Sequence, residues 1–184
     1  LASLSDDQVR HLADLTRLGM AGNLADFVMI DKDGAVKKGS EIDYNGAPGG
    51  YAADPTEVVN YVSKHDNQTL WDMITYKAAQ QADLNTRVWM QAVSLATVML
   101  GQGIAFDQQG SELLRSKSFT RDSYDSGDWF NRVDYSLQDN NYNVGMPRSS
   151  DDGSNYDIIA RVKDWVATPG EAELKQMTAF YQEL

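Results

Sequence analysis

The 184-residue sequence contains no cysteine and only two histidines. The absence of cysteine excludes disulfides and thiolate chemistry, and it leaves the redox compartment open. His11 and His65 lie on different predicted elements without the HExxH spacing of a zinc site, so we predict no metal site. Basic residues are also scarce. The chain has 16 Lys and Arg residues but 27 Asp and Glu residues, which gives a formal net charge of −11. Such a surface repels phosphate backbones and argues against nucleic-acid binding.

Long apolar runs are missing as well. The longest, AVSLATVMLG at 92–101, is too short to span a bilayer, so we expect no transmembrane segment. Apolar residues still make up 42% of the chain, which is ordinary for a folded protein. The N-terminus, LASLSDDQVRHL, has neither a signal-peptide pattern nor an initiator Met, so we expect an interior or processed start.

The order of apolar and turn-forming segments predicts successive β/α units. Ser5 and Gln8 form a capping-box pattern that opens a helix, FVMI and AVKKG predict a hairpin, and the Gly- and Pro-rich residues 43–57 predict a loop. Further along we predict a strand, two helices, a second strand, a long aperiodic stretch and a last helix: 58–63, 68–82, 84–100, 103–108, 109–160 and 169–184. We expect the first strand to be buried, and the second helix too, because it is apolar nearly all round.

Both strands carry polar residues at their C-terminal ends, where a (β/α)8 barrel collects its chemistry. The predicted fold class is therefore α/β, as part of a (β/α)8 barrel. The predicted organisation is a lead-in of helix, hairpin and loop over 1–57, one β/α unit over 58–102, and a second strand, long loop and last helix over 103–184. Since two strands cannot close a barrel, either the chain is a piece of a larger catalytic domain or the barrel interpretation is wrong.

Two acidic segments resemble calcium-binding loops, but each has a simpler interpretation. The DKDG turn at 31–34 fails the EF-hand template because Ala35 and Ile42 stand at ligand positions, so a hairpin turn is favoured. SSDDGSNYD at 149–157 could also bind calcium, but a solvated acidic loop is the simpler interpretation.

The stretch VNYVSKHDNQTLWD (59–72) places His65, Asp66 and Asn67 where the strand ends and a helix begins. In one interpretation Asp66 or Asn67 simply caps that helix. In the other, ionised Asp66 accepts two sugar hydroxyls while its neighbours donate to others, because hydroxyls on adjacent carbons require a bidentate acceptor flanked by donors. No nucleophile-elbow sequence supports a Ser-His-Asp triad.

A second stretch, LRSKSFTRDSYDSGDWFNRVDYS (114–136), interleaves aromatic rings with charged side chains: Arg121, Asp122, Tyr124, Trp129 and Phe130 among them. Disordered loops rarely carry so many rings, because rings have apolar area to bury. Rings beside charged groups suit a sugar, which has apolar faces and a rim of hydroxyls. The alternative is a self-packed surface loop.

Together the two stretches resemble a known family. SKHDNQTLWD followed by GIAFDQQGSELLRSKSFTRDSYDSGDWFNRVDYS is similar to the debranching branch of the α-amylase superfamily (glycoside hydrolase family 13), the pullulanases and limit dextrinases, and most similar to its secreted bacterial members. The similarity runs through essentially all 184 residues, whereas isoamylases and plain α-amylases differ in both stretches. It implies that 58–63 and 103–108 are the seventh and eighth strands of the catalytic barrel.

The resemblance also implies roles for the matching residues. Asp66 would be the third catalytic carboxylate, which binds the sugar ring and stabilises the transition state but neither attacks nor protonates. The other matching residues would bind substrate: His65, Asn67, Arg121, Asp122 and Tyr124. The implied substrates are α-1,6-linked glucans such as pullulan, limit dextrins and maltooligosaccharides. No cofactor is needed for this chemistry, a structural Ca²⁺ could bind elsewhere in the whole enzyme, and the implied location is secreted or on the bacterial cell surface.

The sequence departs from the family in one respect. A retaining glycosidase needs a nucleophile Asp and an acid/base Glu about 5 Å apart, and the GFRFD-like and GEGW-like segments that carry them are absent here. We therefore expect this chain to be the C-terminal portion of the barrel, to require the remainder of the barrel as its partner, and to be inactive alone. The alternatives are a non-catalytic α-glucan-binding module that uses the loop aromatics, and an acidic interaction domain with no ligand.

Overall fold

The computed structural model describes residues 3–184, which form two compact units. The first unit is the chain up to Tyr61 together with Ala96–Phe106, and the second is Val62–Leu95 together with Asp107–Leu184. Helices alternate with short two-stranded sheets, and residues 3–184 close no barrel. The mixed helix and strand content agrees with the predicted α/β class, whereas membership of a larger barrel and the predicted division at residues 57 and 102 stay predictions.

Helix α1 (Asp6–Met20) begins as its sequence predicts. The Ser5 hydroxyl oxygen accepts a hydrogen bond from the Gln8 backbone N–H at 3.2 Å, and Gln8 Oε1 accepts one from the Ser5 N–H at 2.9 Å. This reciprocal pair satisfies two of the four N–H groups that every helix leaves open at its start. Leu18, near the end of α1, is buried against Met29 and Ile42 in the small core of the first unit.

Two hairpins follow α1. Strands β1 (Val28–Ile30) and β2 (Val36–Lys38) pair antiparallel, and Asp31 Oδ1 accepts hydrogen bonds from two backbone N–H groups within the turn, which confirms the predicted hairpin. Strands β3 (Asp43–Tyr44) and β4 (Ala47–Pro48) form a second hairpin inside the segment predicted as loop. The loop prediction is wrong there because Asn45 and Gly46 both have positive φ, the geometry of a type I′ turn that closes tight hairpins.

The two predicted barrel strands pair with each other in parallel. Strands β5 (Val59–Asn60) and β6 (Ile104–Ala105) are shorter than predicted, and within residues 3–184 neither has another partner. The expected burial of the first strand is found at Val58 but not further along, because Val59 and Tyr61 are about half exposed, as is Ile104. A parallel sheet is normally covered on both faces and lies away from solvent.

The helices of the second unit pack around one apolar core. Helix α2 is Leu70–Lys77, α3 is Leu84–Met99, of which the residues up to Leu95 belong to this unit, and the last helix, α7, is Glu171–Glu183. Three short helices lie between α3 and α7: α4 (Asp128–Asn131), α5 (Ser149–Asp152) and α6 (Tyr156–Val162). Single 3-10 turns occupy four further places: Gly39–Glu41, Pro55–Glu57, Ser111–Leu113 and Gly153–Asn155. The aperiodic stretch 109–160 is therefore ordered, and its Phe119 and Tyr142 are buried with Trp71 in the core.

Helix α3 is not buried all round, contrary to the expectation from its sequence. Trp89, Met90 and Val93 are exposed on one face, because the described residues provide no layer that covers them. From Ser3 onward, none of the helices combines the length and the apolar character that crossing a bilayer requires.

Candidate functional site

The His65–Asn67 turn does not cap the helix that follows it. Thr69 is the N-cap of α2, and its hydroxyl oxygen accepts a hydrogen bond from the Asp72 backbone N–H at 3.2 Å. The interpretation of Asp66 or Asn67 as the cap is therefore wrong. Both side chains remain available for other contacts, and Asn67 adopts a left-handed backbone conformation with φ 62° that asparagine tolerates better than most residues.

Asp66 presents an ionised carboxylate to solvent. Its Oδ2 accepts a hydrogen bond from Lys64 Nζ at 2.6 Å, and its Oδ1 lies 3.5 Å from His65 Nε2. The hydrogen bond from Lys64 lowers the pKa of Asp66 below the ordinary value of an aspartate. Asp66 is thus an anionic acceptor held between two nitrogen groups, which is the type of group that binds neighbouring hydroxyls.

Four of the predicted site residues line one cavity of about 480 Å³: Asp66, Asn67, Arg121 and Asp122. Arg121 Nη2 donates a hydrogen bond to Asn67 Oδ1 at 3.2 Å, so the long loop and the turn are linked directly. His65 is adjacent to the cavity through its contact with Asp66. Tyr124 does not line this cavity, and it is 83% exposed.

Two further residues of the cavity wall, Ser150 and Asp151, are not indicated by the sequence. They belong to the segment 149–157, for which the sequence predicts a solvated acidic loop. Arg148 Nε donates to Asp151 at 2.7 Å and thereby fixes this carboxylate beside the cavity. The loop prediction is wrong here, because Ser149–Asp152 form α5 and Asp152 is fully buried. The polar run gave no signal that this segment lines the same cavity as Asp66, because that placement depends on the tertiary fold.

The buried carboxylate of Asp72 holds the backbone of the long loop near the site. Asp72 is fully buried, and its Oδ2 accepts hydrogen bonds from the backbone N–H groups of Lys117 and Phe119 at 2.9 and 3.0 Å, while Oδ1 accepts one from the Ser116 hydroxyl. Burial raises the pKa of Asp72, and these hydrogen bonds partly offset the effect. Asp72 therefore attaches the start of the long loop to α2.

Lys117 ties that loop to the turn. Its side chain is buried, and Nζ donates a hydrogen bond to the His65 backbone oxygen at 2.9 Å. Burial lowers the pKa of Lys117. The Arg121 backbone N–H in turn donates to buried Asp152 at 2.9 Å. Buried polar groups thus hold the backbone at both His65 and Arg121.

The site carries no set of metal ligands. Within residues 3–184 no three His, Asp or Glu side chains stand close enough together to hold a metal ion. The prediction that the chemistry needs no cofactor stays a prediction.

The chain is similar to proteins of known family. Residues 137–184 match the protein-family model described as "Alpha-1,6-glucosidases, pullulanase-type, C-terminal". The whole chain is 94% identical to a part of the pullulanase of Klebsiella aerogenes that makes up 17% of that protein. It is similar throughout to a segment of pullulanases.

The similarity extends to a plant protein and to solved structures. Pullulanase 1, chloroplastic, of Arabidopsis thaliana is 44% identical over 142 residues, which are 77% of this chain and 15% of that protein. The maltotriose complex of PulA from Klebsiella pneumoniae superposes with a TM-score of 0.97 at 94% identity, over 100% of this chain and 20% of that one. The chain thus spans about a sixth of the length of the curated pullulanases that it matches.

Proposed function

We propose that this chain is a segment of the catalytic (β/α)8 barrel of a pullulanase-type hydrolase of α-1,6-glucosidic bonds, in the debranching branch of the α-amylase superfamily. The observation that carries the proposal is the convergence of Asp66, Asn67, Arg121 and Asp122 on one cavity in a chain so similar to a pullulanase segment. The proposed substrates are pullulan, limit dextrins and maltooligosaccharides. The maltotriose bound by PulA from Klebsiella pneumoniae supports this substrate class.

In this proposal Asp66 stabilises the transition state. Its lowered pKa keeps the carboxylate ionised, so that it accepts hydrogen bonds from glucosyl hydroxyls beside the anomeric carbon. As the anomeric carbon gains positive charge, the hydroxyls become stronger donors and the bonds to Asp66 tighten. The nucleophile and the acid/base group, which act with retention of configuration, lie outside this chain, so the isolated chain is inactive.

The remaining site residues position the glucan. His65 donates a hydrogen bond to the sugar that Asp66 binds. Asn67 orients the turn through the hydrogen bond that it accepts from Arg121. Asp122 adds a second carboxylate to the cavity wall. Tyr124 is free to contact the glucan near the branch because its ring is exposed.

The parallel pair β5–β6 supports a larger barrel as the partner of this chain. Val59, Ile104 and Phe106 are each about half exposed, although strands of a parallel sheet are normally buried on both faces. Within the described residues both strands also have unpaired outer edges, which proteins usually pair or cover. We assign β5 and β6 as the seventh and eighth barrel strands, and from the family we infer an enzyme that is secreted or held at the bacterial cell surface and needs no cofactor for the chemistry.

The decisive experiment replaces Asp66 in the longer pullulanase that carries this segment. We expect Asp66→Asn to lower kcat on pullulan at least about a hundredfold, because the amide lacks the charge that stabilises the transition state. The matched control is Asp26→Asn, since Asp26 is another exposed aspartate paired with a lysine, Lys38, at 2.8 Å but lies far along the chain from the turn. Near-normal turnover by Asp66→Asn would overturn the proposed role.

A further inference from the structure

Trp129 is an exposed tryptophan in the short helix α4. Trp129 is 66% exposed, whereas the next residue, Phe130, is buried. Exposing an indole to water forgoes a large amount of apolar burial. The role proposed for the Asp66 cavity does not use this ring, because Trp129 does not line that cavity.

The backbone around Trp129 is held by several hydrogen bonds. Within α4, Asn131 Nδ2 donates to the backbone oxygens of Ser123 and Gly127 at 2.6 and 2.8 Å, and Asn131 Oδ1 accepts from the Ser123 hydroxyl at 2.8 Å. Asn141 Nδ2 donates to the Trp129 backbone oxygen at 3.0 Å. The backbone is thus fixed on both sides of the indole. Such preorganisation lowers the entropic cost of binding a ligand there.

The indole forms one wall of a cavity of about 250 Å³. The lining residues are Asp128, Trp129, Arg132, Asp139, Asn141 and Val144. Arg132 and Asp139 form an ion pair across it. A Cβ on Gly145 would stand 3.6 Å from Trp129 Nε1, so the glycine leaves this edge of the ring open. The volume is below the ~300 Å³ at which pockets for drug-sized ligands begin, and it suits one ring rather than an extended ligand.

We propose that this cavity binds one glucosyl residue of an α-glucan, with the pyranose ring stacked on Trp129. An indole matches the apolar C–H face of a sugar, and the carboxylates of Asp128 and Asp139 with the Arg132 guanidinium match its rim of hydroxyls. Two carboxylates against one guanidinium favour a neutral ring over a phosphorylated one. The choice of an α-glucan rests on the proposed function, whereas the neutral polyhydroxylated ring follows from the cavity itself.

The test follows the indole N–H signals of the four tryptophans in ¹⁵N-labelled protein. Maltotriose is titrated into the full chain, and the Trp129 signal is assigned by its disappearance in Trp129→Phe. We expect this signal to shift saturably with maltotriose and not with xylitol, a polyol without a ring face. Trp129→Ala should weaken the binding followed at the Gly145 amide by about tenfold, the effect typical of losing a central aromatic contact.

Two further variants separate this site from the Asp66 cavity. Trp89→Ala removes another exposed tryptophan and should leave the titration unchanged, provided that the variant keeps the wild-type amide spectrum. Asp66→Asn should also leave the Trp129 shift intact, even though it should strongly lower kcat on pullulan in the longer enzyme. A Trp129 signal that does not move, or that stops moving in Asp66→Asn, overturns this site without affecting the proposed function. A shift that persists while Asp66→Asn retains pullulanase activity overturns the function and leaves the site standing.

Discussion

The strand pair β5–β6 and the long stretch 109–160 differ in burial, and the difference is the opposite of what their sequences predict. The strands have mostly apolar sequences, yet Val59 and Ile104 remain half exposed. The long stretch has little periodicity, yet Leu114 and Phe119 are fully buried in the core of the second unit. Periodicity therefore indicates the type of element, but it does not indicate whether this chain completes the burial of that element.

Side chains and non-repetitive backbone contacts satisfy the irregular backbone of the long stretch. Asn140 Nδ2 donates to the Leu114 backbone oxygen at 2.8 Å, and the Asn140 backbone oxygen accepts from the Ser116 N–H at the same distance. Asp72 accepts from two further N–H groups of this stretch. Buried backbone groups that have such partners need no helix or sheet. The stretch can therefore be well ordered without a repeating pattern.

The largest expected effect is a difference in stability between alanine variants of two phenylalanines, Phe119 and Phe106. Phe119 is fully buried between the rings of Tyr76 and Tyr142, with centroid distances of 5.2 and 5.6 Å, so Phe119→Ala should lower the free energy of unfolding by about 3–5 kcal/mol. Phe106, beside β6, is 49% exposed, and Phe106→Ala should cost less than about 1 kcal/mol. Urea unfolding of both variants of the chain measures the two costs. Equal losses would contradict the comparison between the two regions.

The second prediction concerns Asp72 and pH. Asp72→Asn should cost about 1–3 kcal/mol, because an amide nitrogen would replace one of the oxygens that accept from Ser116, Lys117 and Phe119. Burial raises the pKa of Asp72, so the folded chain still holds this proton at pH values at which the unfolded chain has released it. Through this group stability falls as pH rises from the ordinary aspartate range to the raised value.

Asp72→Asn does not titrate and lacks this decline. The stability advantage of the wild type over the variant should therefore be largest at low pH and should shrink as pH rises. Urea unfolding of both proteins across this pH range measures the difference, and taking the difference removes the opposite contributions of exposed aspartates such as Asp66. An advantage that grows with pH would contradict the direction of the pKa shift.

Local signals predicted much of the fold. The Ser5 capping box and the turn at residues 31–34 were predicted correctly because each depends on residues within a few positions of one another. The Asn45-Gly46 turn carried an equally local signal, and the dense glycine and proline around it led to the wrong prediction of a loop. The termini of β5 and β6 depend on pairing between distant strands, so their lengths were overestimated.

The candidate site was predictable to a smaller extent. The sequence places Asp66 and Asn67 at the end of a strand, but only the family resemblance linked them to Arg121, which is 54 residues away. Nothing in the local pattern identified Asp72 as the anchor of Ser116 and Lys117, because a polar residue in an apolar helix is equally consistent with an exposed position. Contacts of this kind are set by the tertiary fold.

The smallest expected effect tests whether the remainder of a barrel covers β5. In this chain Val59 is half exposed, so Val59→Thr should change the free energy of unfolding by less than about 0.5 kcal/mol. In the longer pullulanase the same change should cost more than about 1 kcal/mol, because a covered threonine hydroxyl must be desolvated. Val36→Thr, on the exposed strand β2, is the matched control and should be nearly neutral in both proteins. Equal small costs for Val59→Thr in the chain and in the longer protein would show that β5 stays exposed and would remove the main physical support for its place in a barrel.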